Sequence, residues 1–250
     1  MAGGTTLAID IHVHSERSYD GHEPAELILE HASDIGLDGV VITDHDTVVE
    51  SRYAAEVAGE YGLVGVPGVE VSTSEGHLLA IGVTERPDPG RPFAETAAEV
   101  RDLGGAVVVP HPFQRSRHGI RRRNLDEDTP LDAVEAYNSM LFTGYRNRRA
   151  RKFAEAFDYP AVGGSDAHYL PNVGRAYTEI EVDADREACT AADVVAAIRR
   201  GETSIHGKRT PIRRSARQYA VGALRKGVYE LTSRAPFVPA YPASMSTPWE

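Results

Sequence analysis

The stretch LAIDIHVHSERSYDG, residues 7–21, decides how this sequence is interpreted. It begins as a short apolar run of the kind found in buried β-strands and ends in two histidines one residue apart. In an extended segment, residues i and i+2 point to the same face, so His12 and His14 can converge on one point. An aspartate, Asp20, follows six residues later. This arrangement predicts a polar site at the end of the first strand.

Apolar runs like this one recur along the chain and alternate with amphipathic segments. Buried strands are predicted at residues 7–13, 39–44, 63–72, 77–83, 106–111, 133–137 and 160–166, and helical segments at residues 24–36, 48–61, 92–103 and 146–157. Strands rich in Val and Ile that are separated by single helices predict parallel βαβ units. About seven such units favour a closed or nearly closed β/α barrel over an open doubly wound sheet.

The alternation stops after residue 190. A helix is predicted at residues 191–200, followed by the short segment TSIHG, a basic helix at about residues 212–231 and a Pro-rich tail from Pro236. We therefore expect residues 1–190 to form the barrel, and residues 191–250 to form a C-terminal helical extension packed on it.

Composition excludes several classes of protein. With 41% hydrophobic and 26% charged residues, the 250-residue chain has the composition of an ordinary globular protein. No apolar run approaches the ~20 residues that cross a bilayer, and the N-terminus lacks the pattern of a signal peptide, so we expect a cytoplasmic protein without membrane contact. One cysteine, Cys189, excludes an intrachain disulfide and a thiolate-rich zinc site.

Charge is unevenly distributed. The net charge is −10, which argues against attraction of the whole protein to nucleic acid. Acidic side chains dominate residues 1–100, whereas basic side chains outnumber acidic ones in residues 101–250. A local anion-binding surface in the second part is therefore possible. The basic segment KRTPIRRSARQ, residues 208–218, is interpreted as docking against the acidic part in preference to following a nucleic-acid backbone.

Polar residues collect at the ends of the predicted strands. His45 closes the second strand, Glu70 lies near the end of the third, His111 follows the fifth, and Asp166 and His168 end the seventh. Each has an ordinary structural explanation as a turn, a helix cap or a core histidine. Because the carboxyl ends of parallel strands meet at one face, a structural explanation would require all of them to be buried together without a partner.

The chemical nature of this set points to metal binding. Histidine and carboxylate without cysteine suit Zn, Mn or Fe better than Ca or Mg, which prefer oxygen ligands. The set also exceeds the roughly four ligands that one tetrahedral ion takes, so two or three divalent ions are implied. Clustered divalent ions can activate water and offset the charge of a phosphoryl group. Hydrolysis of a phosphoester, with no side-chain nucleophile, fits that chemistry best.

Five motifs carry a resemblance to a known family. DIHVHSERSYDG, GLDGVVITDHD, GVEVSTSEGHLLAIG, VVVPHPF and GGSDAH resemble, in the same order, the successive motifs of the PHP (polymerase and histidinol phosphatase) family over about residues 7–170. The resemblance implies a distorted (β/α)7 barrel with a metal site at the C-terminal ends of the strands, and phosphoesterase activity. The metal ligands that it implies are His12, His14, Asp20, His45, Glu70, His77, His111, Asp166 and His168.

The resemblance also implies roles for the acidic residues. Glu70 is expected to bridge metals, and a metal-bound water positioned by Asp20, Glu70 and Asp166 is the expected nucleophile. Asp20 follows His14 by one residue more than in the commoner HxHSxxSDG form, and His77 begins a strand instead of ending one. None of the nine positions is substituted, which argues against a relative without catalytic activity.

Substrate contacts are predicted from position. Arg115 and Arg117 lie in the basic loop that follows His111, where a guanidinium can bind phosphate through two hydrogen bonds. Asn138 ends the sixth strand. Their structural alternatives are a solvated loop and a cap of the next segment.

The expected substrate is a small phosphorylated molecule, with nucleotides and nucleoside bisphosphates as the leading class. The alternatives are an exonuclease or oligoribonuclease on short nucleic acid, a histidinol-phosphate phosphatase, and an amidohydrolase. The last is less favoured because such sites commonly use a modified barrel lysine, and the first lysine here is Lys152. A metal-free regulatory or scaffold role is the alternative outside enzymes. No sequence feature specifies an oligomeric state.

Overall fold

The structure, a computed structural model, describes residues 4–125, 129–141 and 144–233, without the side chains of Arg115, Glu230 and Ser233. The predicted Pro-rich tail from Pro236 lies outside the described residues. Short 3₁₀ turns connect several of the elements. In chain order, the strands and α-helices are β1 (Thr5–Val13), α1 (Ala25–Asp34), β2 (Gly39–Ile42), α2 (Val49–Val57), β3 (Gly68–Ser72), β4 (His77–Ile81), α3 (Phe93–Asp102), β5 (Ala106–Val109), β6 (Ala133–Asn138), α4 (Gly144–Ala156), β7 (Ala161–Gly164), β8 (Ala176–Val182), α5 (Ala191–Arg200), β9 (Thr203–Gly207) and α6 (Ile212–Ser233).

The strands form two sheets. The first has the order β2-β1-β8-β9 and the second the order β3-β4-β5-β6-β7. Isolated bridges join the sheets at two seams: Gly39 with Val64 and His45 with Glu70 at one, and Val13 with Ala167 at the other. The mixed α/β class is confirmed. A closed (β/α)7 barrel is not confirmed, because the ladders of the described residues do not form one continuous ring.

Strand direction differs from the predicted uniform parallel pattern. β1 pairs with β2, β5 with β6 and β6 with β7 in parallel, but β4 runs antiparallel to both β3 and β5. The prediction of parallel units is wrong at this strand. Only residues 73–76 separate β3 from β4, and a connection that short cannot hold the crossover that a parallel pair needs. The chain therefore turns back directly.

One apolar cluster fills the space between the two sheets. Leu7, Ile9 and Ile11 of β1 pack with Leu79 of β4 and Val108 of β5, and all five side chains are fully buried. Burial of each large aliphatic side chain contributes about 1.5–3 kcal/mol. Alternate residues of a strand face opposite sides, so one set of side chains forms this cluster. Because the cluster fixes the strands, it also fixes the polar residues at the strand ends.

The segment after residue 190 shares this scaffold. Val194, Val195 and Ile198 of α5 belong to the same apolar cluster as β1, and β9 pairs antiparallel with β8. Helix α5 begins with a capping box in which Thr190 and Asp193 satisfy each other's backbone amides. The predicted boundary at residue 190 stays a prediction.

Within the described ranges, none of the helices combines the length and apolar composition needed to span a lipid bilayer.

Candidate metal centre

The structure brings all nine predicted ligand residues to one place. Each is buried, and together they form four overlapping groups in which the possible ligand atoms lie within 4.8 Å of one another. The first group contains His14, Asp20, His45 and His168; the second His12, His111 and Asp166; the third His12, His14 and Glu70; and the fourth His45, Glu70 and His77. The cluster takes residues from both sheets.

The reversal of β4 explains the position of His77. This histidine is the first residue of β4, whereas the other predicted ligands lie in the second part of a strand or after its carboxyl end, with Glu70 in the middle of β3. Because β4 is antiparallel to β3, Ser72 at the end of β3 pairs with His77 at the start of β4. The start of β4 therefore lies at the edge of the sheet where β3 ends.

A tight turn after β1 brings Asp20 to the cluster. The Ser18 amide donates to the Ser15 carbonyl, and the Gly21 amide to the Ser18 carbonyl. A Cβ at Gly21 would lie 1.8 Å from the Ser15 carbonyl oxygen, so the turn requires glycine there. It places Asp20 Oδ2 at 2.9 Å from His168 Nε2. The extra residue between His14 and Asp20 is thus accommodated within the turn.

Two of the predicted ligands have backbone angles that are rare outside glycine. His111 has φ +29° and Asp166 has φ +55°, in the sparsely populated left-handed region. Both conformations are held by hydrogen bonds, since the His111 amide donates to Glu135 Oε2 at 2.6 Å and the Asp166 amide donates to the His12 carbonyl at 2.8 Å. Strain of this kind is concentrated at functional sites in proteins.

Glu70 lies at the centre of the cluster. Its Oε1 is 2.8 Å from His77 Nδ1 and 3.1 Å from His111 Nε2. Its Oε2 is 3.2 Å from His45 Nδ1 and 3.3 Å from His14 Nε2. The two oxygens thus face different histidines, which is the arrangement that a carboxylate bridge between two cations requires.

The three carboxyl groups of the cluster are held ionised. Burial raises the pKa of Asp20, Glu70 and Asp166, but in each case the neighbouring positive charges outweigh burial and hold the pKa below the usual value. Histidines whose own pKa is raised supply such charge, His45 beside Asp20 and Glu70 and His12 beside Glu70, and the Arg117 guanidinium contributes most at Asp166. Ionised carboxylates are the form that coordinates cations.

Two of the imidazoles are held neutral. Burial lowers the pKa of His14 well below its usual value and that of His77 to about 4. A neutral imidazole has a free nitrogen lone pair, which metal ligation requires. At His45, burial acts in the same direction, but Glu70 and Asp20 outweigh it and raise the pKa to about 9.

Several buried nitrogens support cation binding. His12 Nε2 and His14 Nε2 lie 3.2 Å apart, and both lie within 3.7 Å of carboxylate oxygens of Glu70 and Asp166. Nδ1 of His111 is buried and has no hydrogen-bond partner among the described residues. Unpaired buried polar atoms are costly, and divalent cations satisfy nitrogen and oxygen donors together. The residues present therefore fit a multi-metal site.

Glu135 is a buried site residue that the sequence did not reveal. It accepts hydrogen bonds from the His111 amide and from Asn138 Nδ2, and its Oε1 lies 3.0 Å from His12 Nδ1. Carboxylates commonly orient metal-ligating histidines in this way. The available signal was a single glutamate inside the apolar strand segment AVEAY.

Gln218 is a second residue that was missed. Its Nε2 donates to the Asp166 carbonyl at 3.0 Å and lies 2.7 Å from His168 Nδ1. It belongs to α6, so this helix covers the cluster. No motif in the sequence indicated that α6 would reach the site.

The predicted substrate contacts have partners inside the site. Arg117 pairs with Asp166 through both terminal nitrogens, at 2.9 Å for Nη2 to Oδ1 and with a closer contact from Nη1. Asn138 Nδ2 donates to Asp166 Oδ2 at 2.9 Å. The Arg115 side chain lies outside the described residues. Arg117 and Asn138 therefore both hold Asp166.

A cavity of about 170 Å³ opens onto the cluster. Its lining includes Tyr19, Arg117, His118, Tyr219 and Lys226 beside the predicted ligands. The space next to the candidate ligands is thus bounded by aromatic and basic side chains, several of them from α6.

Two family models match this chain. One, described as the PHP domain, matches residues 10–147, and the other, described as PHP-associated, matches residues 144–203. Among curated proteins, an uncharacterised protein of Methanocaldococcus jannaschii is 27% identical over 176 residues, which cover 68% of this chain and 69% of that protein. A phosphoribosyl 1,2-cyclic phosphate 1,2-diphosphodiesterase of Eggerthella lenta is 37% identical over 82 residues, which cover 30% of this chain and 31% of that protein.

Solved structures show a similar fold. A two-domain protein of Bacteroides vulgatus, described as containing a PHP-like metal-dependent phosphoesterase, matches with a TM-score of 0.68 and 18% identity over 87% of this chain and 70% of that chain. Endonuclease Q, in complex with a duplex that carries an abasic lesion, matches with a TM-score of 0.54 and 17% identity over 78% of this chain and 56% of that chain.

Proposed function

This chain belongs to the PHP family and is a hydrolase of the metal-dependent phosphoesterase type, and we propose that its substrates are phosphomonoesters. Nucleotides and nucleoside bisphosphates are the leading class. The observation that carries the proposal is the cluster of nine buried histidines and carboxylates, in which five histidines face the two oxygens of Glu70. Such a donor set suits charge stabilisation at a phosphoryl group.

The residues divide into places for two or three cations. His14, Asp20, His45 and His168 form one place, His12, His111 and Asp166 another, and Glu70 stands between groups. The mixture of nitrogen and oxygen donors suits Zn, Mn or Fe. When bound, such cations lower the pKa of water and offset the negative charge of a phosphoryl group.

The side chains of this chain orient the reaction. Glu135 fixes the ring of His12, and Asn138 fixes Asp166. The Arg117 guanidinium binds Asp166 and lines the cavity, so it fixes this carboxylate and adds positive charge beside the position of a phosphoryl group. Tyr219 of α6 lines the same cavity.

A nuclease acting on short nucleic acid is the second candidate. The similarity to endonuclease Q and to a cyclic phosphate diphosphodiesterase favours it. The position of α6 over the cluster favours small substrates, because Gln218 contacts the site directly. A histidinol-phosphate phosphatase is a further candidate. An amidohydrolase is less favoured, since none of the nine clustered residues is a lysine.

The two seams between the sheets support a more specific description of the fold. The seam bridges between His45 and Glu70 and between Val13 and Ala167 place β2 beside β3 and β1 beside β7. This order supports an incomplete ring of seven strands, the distorted (β/α)7 barrel expected from the resemblance. The cytoplasmic location stays a prediction.

Purified protein supplied with Mn, Zn or Fe should release phosphate from one or more nucleoside phosphates. Parallel reactions with short RNA and with histidinol phosphate separate the candidates, because only a nuclease releases nucleotides from RNA and only a histidinol-phosphate phosphatase prefers histidinol phosphate. The Glu70→Gln variant, which lacks the central carboxylate, should lose most of the activity. If neither phosphate nor nucleotide is released from any of these substrates, the proposal is wrong.

A further inference from the structure

We propose that Lys226, Arg121 and Arg123 form a second anion subsite, which holds a phosphate on the leaving group of the substrate. This inference rests on the proposed function, and it narrows the substrate class to small molecules that carry two phosphates. Arg121 and Arg123 belong to the basic loop after β5, and Lys226 belongs to α6.

The subsite is a cavity of about 670 Å³ beside the cluster of predicted ligands. It shares Tyr19, His77, His118 and Lys226 with the smaller cavity that opens onto the predicted ligands. A molecule with its reacting phosphate at the cluster can therefore extend into the second cavity past these shared side chains.

The cations of this cavity are not paired with acidic side chains of the described residues. In the part of the chain that the structure describes, none of Arg121, Arg123 and Lys226 forms an ion pair with a carboxylate. The acidic side chains that line the same cavity are engaged by backbone amides: Asp46 accepts from the Ser72 amide at 2.7 Å, and Glu75 from the Phe93 amide at 2.6 Å. The positive charges thus remain available to a ligand.

Other arginines of the same loop have structural partners. The Arg122 guanidinium lies over the rings of Phe157 and Phe153, with ring centroids at 4.5 and 5.2 Å, and it donates to a backbone carbonyl. Arg117 is paired with Asp166. Arg121 and Arg123 are exposed, and unlike Arg117 and Arg122 they line the second cavity.

Helix α6 fixes Lys226 at the boundary of the two cavities. Arg225 donates to the Gly21 carbonyl, and a Cβ at Gly222 would lie only 3.4 Å from Asp20 Cβ, so the helix packs closely on the turn that carries Asp20. Lys226 Nζ lies 3.0 Å from His118 Nε2. Both family models end by residue 203, so Lys226 lies beyond the segments that this chain shares with them.

Phosphate is the ligand that best fits these groups. Two guanidinium groups and an ammonium group match a dianion with several acceptor oxygens. Tyr19 and Tyr229 line the same cavity, with ring centroids 6.2 Å apart and planes 16° apart, and provide apolar surface for a flat ring system. A nucleoside with a second phosphate combines both features.

The test compares kcat/KM for adenosine 5′-monophosphate, adenosine diphosphate and adenosine 3′,5′-bisphosphate. We expect a two-phosphate substrate to be preferred, and Lys226→Met to lower its kcat/KM by about tenfold or more through KM, with a clearly smaller loss for the monophosphate, so that the preference itself falls. Lys226→Arg should retain the preference. Lys152→Met, which removes the same charge from an exposed position on α4, should behave like the wild type. A preference for adenosine diphosphate or for adenosine 3′,5′-bisphosphate shows whether the second phosphate is attached to the first phosphate or to the ribose.

Equal loss for all substrates in Lys226→Met, or no preference in the wild type, would overturn the subsite and leave the proposed function intact. Binding of adenosine 3′,5′-bisphosphate, measured by calorimetry, tests the subsite separately from the proposed hydrolysis. If no substrate is hydrolysed but binding is weaker in Lys226→Met than in Lys152→Met, the subsite stands and the proposed function fails. If the two variants bind equally in that case, both fail.

Discussion

Glu135 connects three parts of the cluster without being one of the nine predicted ligands. It contacts His12, the His111 amide and Asn138, so it sets both a ring orientation and a strained backbone segment. A side chain of this kind controls the shape of a metal site through the residues that it holds.

Replacement of Glu135 by glutamine should weaken metal binding by about 10–100-fold. The amide keeps the size of the side chain but loses the charge, and its NH₂ group cannot accept a hydrogen bond. Isothermal titration calorimetry of the metal-free protein with Mn or Zn measures this change in affinity. Glu155→Gln, at an exposed position on α4, is the matched control. Equal affinities in the two variants would contradict this role.

Replacement of Gly21 by alanine should disturb the turn that carries Asp20. The new Cβ would lie 1.8 Å from the Ser15 carbonyl oxygen, so the backbone must move. We expect a loss of about 1–3 kcal/mol in the free energy of unfolding together with weaker metal binding. Gly59→Ala is the control, because nothing lies within 4 Å of a Cβ there. Urea denaturation of both variants tests the difference.

Residue patterns predicted some members of the cluster and missed others. His12 and His14 could be predicted because a strand places alternate residues on one face. His77 depended on the family resemblance, because a histidine at the start of a strand has no such signal unless the strand direction is known. Glu135 could not be assigned, since one acidic residue in a strand has the same appearance whether it faces solvent or a cluster.

At the scale of elements, apolar runs predicted most of the strands correctly. β8 was not predicted, because its segment AYTEIEV alternates between buried and partly exposed positions and lacks a continuous apolar run. The predicted basic helix is present as α6, but its place over the cluster could not be derived. A helical pattern shows which face is apolar and does not identify the surface on which it packs.

Helix α5 provides a test at this scale. Thr190 accepts a hydrogen bond from the Asp193 amide, and Asp193 in turn accepts one from the Thr190 amide. Thr190→Ala should therefore lower the free energy of unfolding by about 1 kcal/mol, whereas Thr190→Ser should stay within a few tenths of the wild type. Chemical denaturation measures both, and an equal loss in the two variants would show that the hydroxyl is not responsible.

At the scale of the whole molecule, the strands and helices after residue 174 complete the packing of the earlier ones. Five residues of β1 pair with β8, and α5 packs into the apolar cluster that contains β1. The sequence predicted an appended segment because the strand-helix alternation ended. Alternation along a chain does not show which sheet a late strand joins.

A chain that ends at residue 190 should fail to form a stable domain. It would lack β9 and α5, and thus expose Ile180, Val182 and other parts of the core that α5 covers. We expect aggregation or a molten state, detected by loss of a cooperative thermal transition. A chain that ends at residue 207 is the comparison, and the two should differ. A cooperative transition in the shorter chain would support the boundary at residue 190.

Cations should stabilise the whole molecule. Because the cluster exists only in the folded chain, a cation at about 100 times its Kd should raise Tm by about 5–10 °C. Differential scanning calorimetry of the chelated protein, with and without Mn or Zn, tests this. Calcium serves as the control, since it prefers oxygen ligands. An unchanged Tm with every transition metal would contradict the metal centre.

The seams between the two sheets have a consequence for local opening. Four amide hydrogen bonds cross them beside the cluster: Asp46 to the Glu70 carbonyl, Glu70 to the Asp44 carbonyl, His14 to the Ala167 carbonyl and Asp166 to the His12 carbonyl. Few other backbone hydrogen bonds join the sheets there. A cation shared by side chains from both sheets would therefore hold the sheets together. Deuterium uptake at these four amides should therefore slow when a cation binds, and it reports occupancy of the site without any substrate.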